Sequence, residues 1–255
     1  MQLHPAFLSA PIAHRALHDA RQGVPENSPS AIRRAVQAGY GIELDVQLSA
    51  DGVAMVFHDD TIDRLTPHSG PVGSRRAAEL ADLHLAGTED TIPTLSAVLR
   101  FVAGRVPVLI EMKDQSGGMG EGNNALERAV AADLAAYNGP AAVMSFNPHV
   151  VAAMREHAPD VPRGLVTSGF IPSQWPHLSA EACTALRSIA TFGKVGATFI
   201  SHDRVDLGSP RVSELKAQGI PVLCWTVASP QAEAEARRLA DNITFEGYLP
   251  QVPAV

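Results

Sequence analysis

Short apolar runs alternate with amphipathic, Ala-rich stretches along most of the chain. The apolar runs have the length of strands, and the stretches between them carry apolar residues at helical spacing. Eight strands are predicted, at Ile12–His14, Ile42–Leu48, Val106–Met112, Ala141–Ser145, Arg163–Thr167, Ala197–Ser201, Pro221–Thr226 and Asn242–Glu246. The predicted helices between them are Pro29–Ala38, Thr94–Ala103, Asn124–Tyr137, Pro148–His157, Ser179–Ala190, Pro210–Gln218 and Pro230–Leu239.

Strands and helices that alternate in this way predict a parallel sheet, and eight repeats favour a closed (β/α)8 TIM barrel. A chain of 255 residues suits one such barrel, so a single domain is predicted over residues 1–255. An open doubly wound sheet is the alternative. That fold usually carries a glycine-rich phosphate loop after its first strand, and the segment HRALHD at 14–19 is not such a loop.

One segment interrupts the alternation. After the extended run Val53–His58, residues 60–92 contain no convincing helix and are too many for an ordinary loop between a strand and a helix. We therefore predict a small insertion after the second strand. It is interpreted either as a lid over the barrel mouth or as a surface segment without a role in function.

Composition and charge narrow the classes of function. The chain is 45% apolar and 18% charged, as in a folded domain, and its net charge of −7 disfavours nonspecific binding to nucleic acid or to an anionic membrane. The sequence contains no apolar run long enough for a membrane span and no basic region of a signal peptide, so no membrane insertion and a cytoplasmic location are predicted. Cys183 and Cys224 are expected to be buried, reduced thiols.

Polar side chains with catalytic chemistry end the early strands, and barrel enzymes carry their active sites at these strand ends. These side chains are His14 and Arg15, Glu43 and Asp45, His58 and Asp59, and Glu111 with Lys113. Two imidazoles, several carboxylates and two cationic groups are therefore predicted to share one rim.

Glu43 and Asp45 are two residues apart, so in a strand their side chains point to the same side, here into the barrel. Two carboxylates that point inward are costly unless their charge is neutralised. A divalent cation with oxygen ligands, Mg²⁺ or Ca²⁺, would neutralise them, and Glu111 could supply a third carboxylate. The alternative is a structural ion network with Arg15 and Lys113.

Imidazole is the usual acid–base group near neutral pH, so two histidines beside inward carboxylates indicate catalysis. His14 and His58 are the candidates for this role. Arg15 offers a forked donor and Lys113 a point charge for phosphate oxygens. Together with a cation, these groups suit the cleavage of a phosphodiester.

The motifs resemble those of the glycerophosphodiester phosphodiesterase family. They are HRALHD with PENSPSA, IELDVQLSADGVAMVFHDDTIDRLT, IPTLSAVL, LIEMK, VMSFNP and VLCWTV, and they extend over nearly the whole chain. The resemblance implies a (β/α)8 barrel with a small insertion after the second strand, which agrees with the count of strands made above.

Carried over to this sequence, the resemblance implies that Glu43, Asp45 and Glu111 bind the metal. It implies acid–base roles for His14 and His58, phosphate binding by Arg15 and Lys113, and bracing of the site by Glu26 and Asn27. Two positions depart from the family pattern. Ala16 stands where the family usually has Gly, and ITFEGYLP, with Phe245 and Glu246, replaces a T-D-x-P stretch.

The predicted reaction is metal-dependent hydrolysis of a small glycerophosphodiester to glycerol phosphate and an alcohol, with Mg²⁺ or Ca²⁺ and with Mn²⁺ as a possible substitute. Three alternatives stay open at this point: a lyase that releases a cyclic phosphate, a Schiff-base enzyme that uses Lys113, and a binding protein without activity. Neither the assignment of acid and base between the histidines nor the oligomeric state follows from the sequence.

Aromatic residues fall near the ends of the late predicted strands. They are Phe146, Trp225, Phe245 and Tyr248. They are interpreted either as core residues or as an apolar wall or cation–π surface for the alcohol of the substrate. Trp225 is the first candidate for contact with the substrate, and His18 is the additional histidine expected to border the site.

Overall fold

The computed structural model describes residues 2–252, so the ends of the predicted domain, residues 1 and 253–255, lie outside the described residues. The strands are β1 (Ile12–Ala13), β2 (Gly41–Leu48), β3 (Ala54–Val56), β4 (Val108–Met112), β5 (Ala141–Ser145), β6 (Arg163–Thr167), β7 (Phe199–Asp203), β8 (Val222–Val227) and β9 (Asn242–Phe245). All except β3 are parallel, in the order β1-β9-β8-β7-β6-β5-β4-β2, and β2 pairs with β1. The predicted closed barrel is confirmed.

The helices are α1 (Ala6–Ser9), α2 (Pro29–Ala38), α3 (Ala77–Ala81), α4 (Leu95–Val102), α5 (Ala125–Ala135), α6 (Pro148–His157), α7 (Ala180–Arg187), α8 (Pro210–Ala217) and α9 (Pro230–Ala236). Side-chain caps fix four of their starts: Ser28, Thr94, Ser179 and Ser229 each accept a hydrogen bond from the third backbone N–H of the helix that follows. Each cap stabilises its helix by about 1 kcal/mol. The predicted helices all form, and several are shorter than predicted.

The barrel has two apolar layers. On β2, Ile42, Leu44 and Val46 pack in the larger cluster between the barrel and its helices, whereas Glu43 and Asp45 alternate with them. A smaller cluster is shared by the α1 segment and strand residues, among them Leu3, Phe7, Leu109, Met144 and Phe199. This arrangement leaves the polar residues at the carboxyl ends of the strands free for chemistry.

Helix α1 was not predicted, because four residues are too few to show helical spacing. Phe7 on α1 is fully buried and belongs to the smaller cluster. The amide of Asn242, at the start of β9, donates hydrogen bonds to the backbone oxygens of Phe7 and Ala10. Because parallel strands all start at one end of the barrel, α1 packs at the end opposite the predicted site.

Residues after β2 form the predicted insertion. Strand β3 pairs antiparallel with β2, and β3 and the segment beyond it share a cluster of buried side chains, among them Met55, Phe57, Ile62, Leu80 and Ile92. The short helix α3, which was not predicted, lies in this segment. The insertion is therefore a packed substructure with an apolar core of its own.

Gly164 on β6 pairs in register with Phe199 on β7. A Cβ at residue 164 would lie 2.4 Å from Cε2 of Phe199, whose side chain is fully buried and cannot move aside freely. We expect Gly164→Ala to lower the free energy of unfolding by about 1–3 kcal/mol, as overpacking of a core does. Urea denaturation measures the change.

Gly193→Ala is the matched control for this prediction. A Cβ at residue 193 meets no atom within 4 Å, and its backbone is outside the left-handed region. We expect a change within about 0.5 kcal/mol for this exposed glycine. Equal stability of Gly164→Ala and wild type would show that the packing of β6 against β7 is looser than in the structure.

Candidate active site

Three carboxylates from two neighbouring strands meet inside the barrel. Glu43 and Asp45 lie on β2 and Glu111 lies on β4, with Asp45 and Glu111 directly paired in register. Glu43 and Asp45 are each only 1% exposed, and one ligand atom from each of the three residues lies within 4.8 Å of the others. The structure thus brings together all three predicted metal ligands.

Asp45 is the best-satisfied member of this group. Its carboxylate accepts hydrogen bonds from Nζ of Lys113 at 2.7 Å and from Nδ2 of Asn27 at 2.9 Å, and Nε of Arg15 lies 3.8 Å away. Burial opposes the charge, but Lys113 and the other nearby cationic side chains outweigh it and hold the pKa of Asp45 well below its usual range. Lys113 also contacts Glu111 at 2.6 Å.

These contacts fix the charge of Lys113. Burial alone would lower the pKa of its ammonium, but Asp45 and Glu111 raise it above the ordinary value. A Schiff base needs a neutral amine. The environment therefore disfavours Lys113 as a nucleophile and supports it as a fixed positive charge.

Glu43 is the poorly satisfied member. Its Oε2 accepts a hydrogen bond from the backbone N–H of Arg15 at 2.7 Å, but its Oε1 is buried and has no partner among residues 2–252. Burial and the neighbouring charge of Asp45 raise the pKa of Glu43 to about 8. The ion network proposed as the alternative therefore satisfies Asp45 and Glu111 but not Glu43, and a bound cation would supply the missing partner.

His14 follows β1, and Glu246 follows the adjacent strand β9. Nδ1 of His14 donates a hydrogen bond to Oε2 of Glu246 at 2.7 Å. Burial opposes the charged imidazolium, but Glu246 and the charge of Glu43 outweigh it and raise the pKa of His14. Glu246, which departs from the family pattern, thus fixes the tautomer and orientation of a candidate catalytic histidine.

His58 is oriented by a second carboxylate. Its Nδ1 donates to Oδ1 of Asp59 at 2.7 Å, and Arg64 from the insertion holds both oxygens of Asp59. Burial lowers the pKa of His58 against the opposing charge of Asp45, and the nearby positive charges of Lys113 and Arg15 lower it further. The two histidines therefore differ in environment, although each donates Nδ1–H to a carboxylate.

Arg64 links the insertion to the catalytic rim. It also donates to both oxygens of Glu26, and Glu26 accepts a hydrogen bond from Arg15 at 2.7 Å. Sequence reasoning missed Arg64, because nothing in the insertion marked it as different from the other surface arginines. Glu26 and Asn27 contact Arg15 and Asp45, as the bracing role would require.

The predicted set of aromatic residues divides in two. Phe146 and Trp225 pack together with ring centroids 5.6 Å apart, and Phe170 and Trp175, which were not predicted, extend this cluster. Phe146, Phe170, Trp175 and Trp225 are called the aromatic wall below. Nε1 of Trp225 donates to the backbone oxygen of Ser201 at 3.0 Å, which fixes its ring.

Phe245 and Tyr248 lie elsewhere. Phe245 is 1% exposed and packs against Tyr40, with ring centroids 4.8 Å apart, in the cluster between the barrel and its helices. The hydroxyl of Tyr248 donates to Glu233 on α9. Phe245 is therefore a core residue, the first of the two interpretations, since β9 directs it outward, and Tyr248 lies apart from Trp225.

Ala16 has a φ of 64°, in the left-handed region that favours glycine. Arg15 before it also has a positive φ, of 49°. Ala16, which replaces the usual Gly of the family, thus adopts a conformation that glycine reaches more readily. The backbone N–H of Ala16 holds this bend, because it donates to the backbone oxygen of Glu43 at 2.9 Å.

Comparisons with known proteins agree with this geometry. Residues 14–243 match the model of the glycerophosphoryl diester phosphodiesterase family. YhdW of Bacillus subtilis strain 168, assigned as a glycerophosphodiester phosphodiesterase, is 30% identical over 89% of this chain and 90% of its own length. Human glycerophosphodiester phosphodiesterase 1 is 31% identical over 62% of this chain, and the match covers 49% of the human protein.

Among solved structures, a phosphodiesterase from Oleispira antarctica in complex with the product sn-glycerol-3-phosphate superposes with a TM-score of 0.75. It is 26% identical, and the alignment covers 94% of each chain. The likeness therefore extends over the whole barrel, including the elements that carry the three carboxylates and the two histidines. The chain belongs to the glycerophosphoryl diester phosphodiesterase family and is a phosphoric diester hydrolase.

Proposed function

We propose that this enzyme hydrolyses small glycerophosphodiesters to glycerol phosphate and an alcohol, with one divalent cation and the two histidines. The observation that carries the proposal is the cluster of Glu43, Asp45 and Glu111, flanked by two imidazoles that are each oriented by a carboxylate. The glycerol phosphate bound to the Oleispira relative supports the identity of the product.

Glu43, Asp45 and Glu111 would hold the cation. An all-carboxylate set suits the hard ions Mg²⁺ and Ca²⁺, and Mn²⁺ accepts similar ligands. The orphaned Oε1 of Glu43 supports this assignment, because a buried carboxylate oxygen needs a partner. When bound, the ion would neutralise charge on the phosphate oxygens as a Lewis acid.

Arg15 and Lys113 would bind the phosphate. The Lys113 ammonium carries a fixed charge beside Asp45 and Glu111, and Nε of Arg15 is buried with no hydrogen-bond partner within residues 2–252. The hydrogen bond from Arg15 to Glu26 holds the guanidinium in place. These groups would bind and orient a phosphodiester before any proton moves.

The environments of the two histidines suggest their roles. His58, whose pKa is lowered by burial and nearby positive charge, is the group that would accept a proton from the attacking oxygen. His14, whose pKa is raised by Glu246, would donate a proton to the leaving alkoxide. In both residues the hydrogen bond at Nδ1 leaves Nε2 as the nitrogen for proton transfer.

The aromatic wall is proposed to contact the alcohol part of the substrate, with Trp225 as the main residue. Phe146 follows β5, Phe170 and Trp175 follow β6, and Trp225 lies on β8, at the same end of the barrel as the carboxylates. The insertion 60–92 is proposed to cover the mouth as a lid, supported by the contacts of Arg64 with Glu26 and Asp59.

A cytoplasmic location is also proposed. Cys183 and Cys224 are free and buried, as expected for a protein of a reducing compartment. No helix among residues 2–252 is both long and apolar enough to cross a membrane.

A panel assay tests the proposed reaction. Glycerophosphocholine, glycerophosphoethanolamine and glycerophosphoglycerol are incubated with Mg²⁺, Mn²⁺ or Ca²⁺, or with EDTA, and products are followed by phosphorus NMR. We expect glycerol phosphate with at least one cation, and a rate at least ~100-fold lower in EDTA that returns when metal is added back. A cyclic phosphate product would instead support a lyase, and full activity in EDTA would contradict the role of the carboxylates.

A further inference from the structure

Beside the three carboxylates lies a second cluster of metal-binding side chains, formed by His14, His18 and Glu246. One ligand atom from each lies within 4.8 Å of the others. His14 and Glu246 follow adjacent strands that pair in register at Ala13 and Phe245, which places the two residues side by side. The positive φ angles of Arg15 and Ala16 bend the chain after β1, and His18 lies just beyond this bend.

We propose that His14, His18 and Glu246 form a second metal site for Zn²⁺ or a similar transition-metal ion. The ion bound there inhibits the enzyme. The inhibitory part rests on the proposed function, because it depends on the catalytic role of His14. The binding part depends only on the three side chains.

Distances in the cluster are close to those that zinc requires. Oε2 of Glu246 lies 2.7 Å from Nδ1 of His14 and 3.9 Å from Nε2 of His18. In a tetrahedral site with bonds of about 2.0–2.1 Å, ligand atoms are separated by roughly 3.3 Å. Small side-chain shifts would therefore bring three ligands to a common ion.

His18 supplies an independent observation. Its Nε2 is shielded from water and has no hydrogen-bond partner among residues 2–252, although a carboxylate oxygen lies 3.9 Å away. A buried imidazole nitrogen without a partner is costly, and the His14–Glu246 hydrogen bond does not explain it. A metal ion between His18 and Glu246 would give this nitrogen a partner.

The chemistry of this second cluster differs from that of the first. Glu43, Asp45 and Glu111 offer only oxygen and suit Mg²⁺ or Ca²⁺, whereas two imidazoles and one carboxylate suit Zn²⁺. His18 and Glu246 also line a cavity of about 870 Å³, which has room for water at further coordination positions. The two sites are therefore expected to select different ions and to be filled together.

Zinc at this site would act on catalysis through His14. Zinc bound at Nδ1 would replace the Nδ1 proton and leave a neutral imidazole, whose Nε2–H is a much weaker acid than the N–H of an imidazolium and donates poorly to the leaving alkoxide. The ion would also compete with the hydrogen bond from His14 to Glu246 that orients the ring. Turnover is therefore expected to fall as the site fills, while Mg²⁺ remains bound at the carboxylates.

The binding test uses the full chain saturated with Mg²⁺ and titrated with Zn²⁺ by calorimetry, with Co²⁺ absorption as a spectroscopic probe of coordination. We expect one equivalent of Zn²⁺ to bind, with an affinity at least ~10-fold lower in His18→Ala. His68→Ala removes an exposed histidine of the insertion and is the matched control, with unchanged affinity expected. Glu43→Gln should keep zinc binding, because its side chain belongs to the other cluster.

Equal zinc affinity in His18→Ala and wild type would overturn the site. Inhibition is measured for each variant against its own zinc-free rate, and the zinc concentration for half-inhibition should rise at least ~10-fold in His18→Ala. If zinc binds through His18 without slowing turnover, the proposed inhibition is wrong and the proposed zinc site is supported. If no substrate is turned over, the proposed function fails, while the calorimetric result still decides the site.

Discussion

His14→Ala and His58→Ala should each lower kcat by about two to four orders of magnitude, the usual contribution of a positioned acid or base. Both imidazoles border the carboxylate cluster, and each donates Nδ1–H to its own carboxylate, Glu246 or Asp59. Neither side chain is part of the apolar core, so both variants should fold. The measurement is kcat on the best substrate of the panel, with saturating metal and with circular dichroism as a check of folding.

The pH profile separates the two roles. The reactive form carries neutral His58 and protonated His14, so kcat/KM should rise with pH as His58 loses its proton and fall as His14 loses its proton. The pKa of His58 is lowered and that of His14 is raised, so the window between them is wide. Glu246→Gln removes the hydrogen-bonded negative charge and should move the alkaline limb to lower pH.

His68→Ala is the control for both substitutions, because it truncates an exposed histidine in the insertion. It should keep the wild-type rate. If either active-site variant kept more than about a tenth of the wild-type kcat, the two-histidine mechanism would be wrong, since a lost acid or base costs far more. An unchanged alkaline limb in Glu246→Gln would contradict the assignment of His14 as the acid.

The alternation of strands and helices was sufficient to predict the barrel, because each strand buries an apolar face against its helix. The same alternation predicted that Glu43 and Asp45 point inward, since residues two apart share one face of a strand. The first and last residues of the strands were predicted less exactly. The sixth predicted strand begins at Ala197 but β7 begins at Phe199, because the backbone N–H of Ala197 still donates to the backbone oxygen of Phe192 in the preceding turn.

Contacts between distant segments were not predictable in the same way. The pairing of His14 with Glu246 joins residues 232 positions apart, and the contact of Arg64 with Glu26 joins residues 38 apart. No local pattern encodes such partners, because they depend on which strand ends and which loop approach each other. The sequence identified Glu246 only as a departure from a family pattern, and the structure shows what the longer acid contacts.

The choice between a metal site and a structural ion network depends on individual carboxylates. Asp45 receives Lys113 and Asn27, as a member of a structural network would. Glu43 has one buried oxygen with no hydrogen-bond partner within the described part of the chain, as a carboxylate that serves to bind a metal would. Substitution of each acid by its amide should therefore give opposite effects on stability.

Glu43→Gln should abolish most activity while leaving the metal-free protein as stable as wild type or more stable. Glutamine keeps an oxygen that can accept from the backbone N–H of Arg15, and it removes a buried charge that Asp45 repels. Loss of a cation ligand should lower kcat/KM at least ~100-fold. Urea denaturation in EDTA, with and without added Mg²⁺, measures the stability of both proteins.

The effect on stability should depend on pH with a definite sign. The folded-state pKa of Glu43 is raised from 4.5 to about 8, so folding retains a proton that the unfolded chain releases. Wild type should match Glu43→Gln near pH 4.5 and become progressively less stable than it as pH rises toward 8. Added Mg²⁺ should reverse this loss in wild type and have little effect on the variant, because it binds the folded carboxylates.

Asp45→Asn is the matched comparison, with the same change of charge two residues away on the same strand. It leaves Lys113 and Arg15 without their shared partner, so it should destabilise the metal-free protein by about 3–5 kcal/mol. If Glu43→Gln destabilised the protein to the same extent at every pH, the carboxylates would be a structural ion network and not a metal site. If only Asp45→Asn is destabilised while both variants lose activity, Asp45 stabilises the fold of the site through its ion pairs, whereas Glu43 serves only to bind the cation.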